Sequence, residues 1–151
     1  MRIALFAAAA FGLVAAAPPS RDQLLQVMHE RHEGMESIGK ATKAIRREIE
    51  GGTPNSPTVR SSAAQIDKLA HNASHWFPAG TGPELGKTGA KPEIWQDPKD
   101  FASKLAAFQK AASVFDAAAA GNDPMAVKLR YVDMGGTCKA CHDKYRSEMH
   151  H

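Results

Sequence analysis

Several common functional signatures are missing from this chain. It has no basic block, no aromatics interleaved with basic residues and no zinc-finger spacing, which removes the usual footprints of nucleic-acid binding. The charge balance agrees. Nineteen Lys and Arg stand against sixteen Asp and Glu, a formal net charge of +3, and this mild excess suits a soluble surface with weak steering at most. No catalytic acid–base constellation stands out, so the chain does not read as an enzyme. Cysteine is reduced to Cys138 and Cys141. No run of alternating β-branched residues precedes them, so the strand–helix–strand context of a redox dithiol is missing. No apolar run is long enough to cross a bilayer.

The placement of those two cysteines is informative. They lie in Thr137-Cys138-Lys139-Ala140-Cys141-His142, and Cys-x-x-Cys-His is the attachment signature of c-type haem. On a helix, positions i, i+3 and i+4 share one face. Two thiols can then reach the haem vinyl groups while the imidazole points at the iron. A redox dithiol, a local disulfide or half a zinc site are the competing readings. A zinc site needs four ligands, and only His150 and His151 are otherwise close in sequence.

The N-terminus fits the haem reading. Arg2, an apolar run from Ile3 to Val14, then alanines and Pro18-Pro19 form the n-region, h-region and small-residue cleavage site of a secretory signal. Cleavage after Ala16 assigns residues 1–16 to the signal peptide and 17–151 to one domain; a membrane-anchoring N-terminal helix is the alternative. Export places haem attachment outside the cytoplasm, in the periplasm of a bacterium, with no membrane span once the signal is removed.

Four helical segments are predicted after the signal. The first opens at Ser20 with Gln23 three residues on, as in a capping box. Its seam reads Leu24, Met28, Arg31, Met35, Ile38, Thr42, Ile45 and Ile49, spaced alternately by four and three. Gly51-Gly52, Pro54 and Pro57 stop it. The second begins near Thr58, turns Val59, Ile66, Leu69, Ala73 and Trp76 inward, and ends before Pro78. A Gly- and Pro-rich loop then runs to Gln96. The third opens with Asp97 as cap and Pro98 at the first helical position, with Phe101, Leu105, Phe108, Ala112 and Phe115 on its face. The fourth opens at Asp123-Pro124 and buries Met125, Leu129 and Val132, its face continuing as Cys138, His142, Tyr145 and Met149. Short or moderate connections make this an all-α, up-down-up-down antiparallel four-helix bundle. Most of the apolar stripe is core, and His29, His32, His71 and His75 read as surface side chains. His150-His151 reads as a solvated tail able to bind stray metal.

Arg31 interrupts the apolar seam. A buried, unpaired guanidinium is expensive, so Arg31 either contacts a haem propionate, which it can clamp through two donors, or snorkels at the bundle edge. Met35 lies one turn further along. Its thioether fills gaps or ligates iron.

At these residues the chain resembles the class II c-type cytochromes, the cytochrome c′ family with its low-spin relatives. The resemblance runs through Arg31-His32-Glu33-Gly34-Met35 with Ile38-Gly39, Phe77-Pro78-Ala79-Gly80-Thr81, Lys91-Pro92-Glu93-Ile94-Trp95, and Gly135 to Arg146. It implies a bundle holding one covalent haem c per chain, often as a homodimer. Cys138 and Cys141 would be the thioether donors and His142 the proximal iron ligand. Arg31 and Arg146 match basic residues near the haem, Thr88 and Gly89 match loop positions approaching it, and Met35 matches the residue facing the distal side of the iron. Two functions follow. Six-coordinate His142–Met35 iron would carry electrons between periplasmic redox partners, and this is the favoured expectation. The alternative is five-coordinate iron that binds nitric oxide or carbon monoxide.

Overall fold

The computed structural model describes residues 17–148. The expected signal segment 1–16 lies outside the described residues, as do Met149 and the terminal histidine pair. Helix α1 spans Arg21–Glu50, α2 Pro57–Asn72, α3 Glu93–Gln96, α4 Pro98–Ala120 and α5 Pro124–Tyr145. Among the described residues there is no strand, only an isolated antiparallel bridge between Ala90 and Arg146.

The helix starts follow local chemistry. Ser20 Oγ accepts from Gln23 N–H at 3.3 Å while Gln23 Oε1 accepts from Ser20 N–H at 2.7 Å, which closes the capping box of α1. Ser56, Asp97 and Asp123 cap α2, α4 and α5 through their side chains, each with Pro at the first turn. The expected start of α2 near Thr58 is thus one residue late, because Ser56 caps and Pro57 opens the helix. The loop from Pro78 to Gln96 is not continuous coil. Pro92 fixes the entry to the single turn of α3, which buries Ile94.

The four long helices pack in sequence around the bundle: α1 against α2, α2 against α4, and α4 against α5. Fully buried alanines at 63, 70, 112 and 119 let α2 and α4 approach closely. The main core joins Ile38, Ile45, Ile66, Phe108, Phe115, Val127 and Met134 among others. A second, smaller cluster of Ile94, Phe101 and Tyr145 closes one end.

The structure corrects the expected inner face of α5. Met125, Leu129 and Val132 point to solvent at 70%, 52% and 67% exposure, and His142 is also exposed. The buried face is instead Val127, Tyr131, Met134, Cys138 and Tyr145. Two apolar stripes on this helix share the same four–three spacing, and periodicity alone cannot choose between them. The second stripe stays in phase with both cysteines. On α1 the inner face also includes Gly34 and Ala41; Trp76 lies where a Cβ on Gly34 would be.

Candidate haem site

The site is built at the C-terminal end of α5. Cys138 and Cys141 are both free and half-buried. Cys138 packs on the main core and Cys141 on the smaller cluster, so the pair straddles the junction between them. His142 follows on the solvent side of the same turn. Burial pushes both thiols above their ordinary pKa. A catalytic dithiol needs the opposite, a nucleophilic cysteine with a lowered pKa, commonly at a helix N-terminus. These two occupy the last turns of their helix, which argues against thiol oxidoreduction. Crowding by protein atoms, then the Arg146 charge, lowers the His142 pKa, and Asp143 opposes them. That favours the neutral imidazole, the form that ligates metal.

Arg31 enters from α1. At 5% exposure it does not snorkel. Its Nη1 donates to Trp76 O at 3.1 Å and Thr81 Oγ1 at 3.2 Å, and its Nη2 donates to Thr81 O at 2.8 Å and Thr88 Oγ1 at 3.0 Å. The guanidinium also lies over Phe77 and Trp95, 5.2 and 5.9 Å from the ring centroids. With both terminal nitrogens engaged, the expected two-donor propionate clamp is not what this geometry presents. Protein oxygens satisfy the buried cation, and Nε–H is the donor left over. Burial lowers the Arg31 pKa, yet an arginine stays charged.

Thr88 and Gly89 are drawn into the same construction. Thr88 Oγ1 also accepts from Ala90 N–H at 3.2 Å. Lys91 N–H donates to Tyr145 O and Ser147 N–H to Gly89 O, each at 2.9 Å. The loop therefore connects Arg31 on α1 to the residues immediately after His142. Arg146 contributes its backbone to the bridge, while its side chain is exposed and acts on His142 through charge alone. Met35 is half-buried and packs against the same core as Cys138.

Sequence reasoning missed the supports. Thr81 is fully buried and carries half of the Arg31 bonds. Asp97, Asp100, Lys144 and Tyr145 form a polar cluster under the attachment turn: Lys144 Nζ reaches Asp97 at 2.8 Å and Asp100 at 2.9 Å, and Tyr145 Oη reaches Asp100 at 2.6 Å. The one available signal was Arg31 itself, since a buried arginine requires acceptors.

A haem fits this donor set. Two free thiols at i and i+3 precede an outward imidazole at i+4. Among the described residues α1 and α5 do not pack closely along each other, although Tyr131 Oη donates to Thr42 O at 3.3 Å between them. Fold and site thus define a helical bundle of the haem-c-attaching class. Residues 26–146 match the family described as Cytochrome C′, and this chain belongs to that family. The cytochrome c′ of Allochromatium vinosum is 30% identical over 92% of both chains. The crystal structure of cytochrome c′ from Thermochromatium tepidum matches with a TM-score of 0.77 and 30% identity, covering 87% of this chain and 100% of that one. A variant of the Alcaligenes xylosoxidans protein, solved as its nitric oxide complex, matches with a TM-score of 0.73 and 25% identity over 83% of this chain and 97% of that one. Cytochromes of this family carry covalently bound haem c.

Proposed function

We propose that this protein is an exported five-coordinate cytochrome c′ that binds a diatomic gas such as nitric oxide or carbon monoxide. The observation that carries the reading is the arrangement at the end of α5, two half-buried free thiols with an outward imidazole, together with a half-buried Met35 on α1 that packs against the core. The favoured sequence expectation, a Met35–iron bond and electron transfer, gives way to its alternative. A half-buried methionine that packs against the core suits apolar cover, and a relative of similar fold is known as a nitric oxide complex.

When bound, haem would supply an iron able to take a small ligand. Cys138 and Cys141 would hold it at the junction of the two core clusters, and His142 would offer a ligating imidazole. Met35 would serve as apolar cover, and Arg31 fixes the loop that bounds the site while keeping a positive charge near it. Residues 1–16 act as the export signal in this reading, which makes the compartment the periplasm. Among the described residues no helix is long and apolar enough to cross a membrane. A homodimer and protein redox partners rest on family membership alone.

Absorption spectra in both redox states, with and without carbon monoxide, test the proposal. High-spin spectra with ready carbon monoxide binding, unchanged in form by Met35→Ala, are expected. A ferric methionine–sulfur charge-transfer band, lost in Met35→Ala, would restore the electron-carrier reading. Recovery of mature protein in the periplasmic fraction, its N-terminus at Ala17, checks export.

A further inference from the structure

The chain has two tyrosines, and their surroundings differ in one chemical respect. Tyr145 is 3% exposed, and its hydroxyl donates to the Asp100 carboxylate at 2.6 Å, the length of a charge-assisted O–H···O⁻ bond. Lys144 fixes Asp100 and pairs with Asp97 as well. Tyr131 is half-buried, and its hydroxyl donates to a backbone carbonyl, Thr42 O, at 3.3 Å. A phenol that loses an electron becomes a strong acid and must lose its proton too. A carboxylate at 2.6 Å can take that proton, whereas a backbone carbonyl cannot.

Position adds to chemistry. Tyr145 stands one helical turn beyond Cys141, and Cys141 packs against the cluster that contains the Tyr145 ring. The ring therefore lies beside a covalent anchor of the haem. The ring packs edge-on with Phe101, centroids 5.2 Å apart, and Phe101 is in turn edge-on to Phe77 at 4.8 Å, while Lys144 Nζ lies over the Tyr145 ring, 5.1 Å from its centroid. Phenylalanines are far harder to oxidise than a phenol, so Trp95, packed against the same cluster, is the other ring there that could hold the vacancy, and ring-deuterated tyrosine distinguishes the two.

Building on the open-iron reading above, we propose that Tyr145 is a redox-active tyrosine. It returns an electron to the haem after oxidation by hydrogen peroxide, and Asp100 receives its phenolic proton. Reduction of hydrogen peroxide cleaves its O–O bond and consumes two electrons and two protons to give two waters, both protons coming from the reductant and bulk water. Tyr145 supplies one of the two electrons, leaving a neutral tyrosyl radical and a protonated Asp100. An external reductant such as ascorbate supplies the other electron directly. It then reduces the radical, and Asp100 returns the proton to the phenol oxygen. Lys144 keeps its pairing with Asp97 throughout, so no charge is stranded when Asp100 is neutral.

The test uses the holoprotein, with haem content first measured as the pyridine haemochrome. Samples mixed with hydrogen peroxide and freeze-quenched are read by electron paramagnetic resonance, with ring-deuterated tyrosine to identify the carrier. A tyrosyl signal is expected in the wild type and in Tyr131→Phe, with loss in Tyr145→Phe and a reduced yield in Asp100→Asn. A signal that survives Tyr145→Phe, disappears in Tyr131→Phe, or is absent from a haem-loaded wild type overturns the proposal and leaves the gas-binding reading intact. Full yield in Asp100→Asn overturns the proton assignment. Absence of haem overturns both readings together. Should Tyr145→Phe not fold, peptide mapping of the peroxide-treated wild type decides. Oxidation products at Tyr145 support the assignment, and products confined to Tyr131 refute it.

Discussion

Arg31 offers the most direct test of how the site is held together. Replacing it with methionine, which is similar in length and apolar, leaves Trp76 O and Thr81 O without the donors they now have, and both residues are buried. Each orphaned acceptor costs about 1–3 kcal/mol. Relief from burying a guanidinium offsets part of this, leaving a net loss of about 1–4 kcal/mol. That is a large share of the roughly 5–15 kcal/mol that stabilises a domain. Urea unfolding of the holoprotein followed by far-ultraviolet circular dichroism reads it directly, because thioether-bound haem stays with the chain in both states. Arg31→Lys should recover only part of the loss, since a single ammonium cannot span acceptors that the guanidinium reaches from two nitrogens. The reduction potential should also fall in Arg31→Met, because a nearby cation favours the reduced, less positive centre. A stability loss below about 1 kcal/mol, or full rescue by lysine, would refute the role of Arg31 as organiser of the loop. A potential that falls while stability does not would mean that the guanidinium acts on the haem rather than on the chain.

Three other outcomes follow from the same geometry. The wild type should keep its haem through acid–acetone extraction, whereas the Cys138→Ser, Cys141→Ser double variant should release it. Gly34→Ala drives a methyl group into the Trp76 ring and should cost about 1–3 kcal/mol by overpacking, seen as a lowered midpoint in thermal unfolding. Asp100, through hydrogen bonds from Tyr145 and then Lys144, and Asp97, chiefly through Lys144, are held below the usual carboxylate range. Their stabilising contribution is therefore complete above about pH 4 and is lost as pH falls through the depressed values. Asp100→Asn should accordingly lower stability in the neutral region and leave the acid end little changed, so that the acid limb of the stability curve becomes flatter.

Much of the architecture was legible because it depends on local chemistry. Ser20 with Gln23, Asp97 with Pro98, and Asp123 with Pro124 mark helix starts by side-chain capping, which needs no tertiary information. Cys138, Cys141 and His142 were legible for the same reason, since their spacing alone puts them on one turn. The register of α5 was not. Met125, Leu129 and Val132 form as good a stripe as Val127, Tyr131 and Met134, and only packing against α4 separates them. The partners of Arg31 lie 45 to 57 residues away, so the seam showed that something had to satisfy the cation without showing what. Gly34 was missed because its role is to make room for Trp76, and a residue that contributes no side chain leaves no mark in an apolar periodicity.

The burial of the two attachment thiols bears on how the mature protein is made. Thioether formation relies on an accessible sulfur, and the thiolate is the nucleophilic form. In the finished bundle both sulfurs are half-covered, and burial raises both thiol pKa values, which makes them poorer nucleophiles than exposed cysteines. Attachment is therefore expected to be faster before the end of α5 settles against its neighbours. α4 and α5 are joined by a short connection and can pair early, whereas the Arg31 contacts close long loops, which is slow. Between these events lies an interval in which the thiols can still react. A variant that shortened it, by hastening the docking of α1, would be expected to accumulate folded chains without prosthetic group, although every residue of the attachment motif was intact.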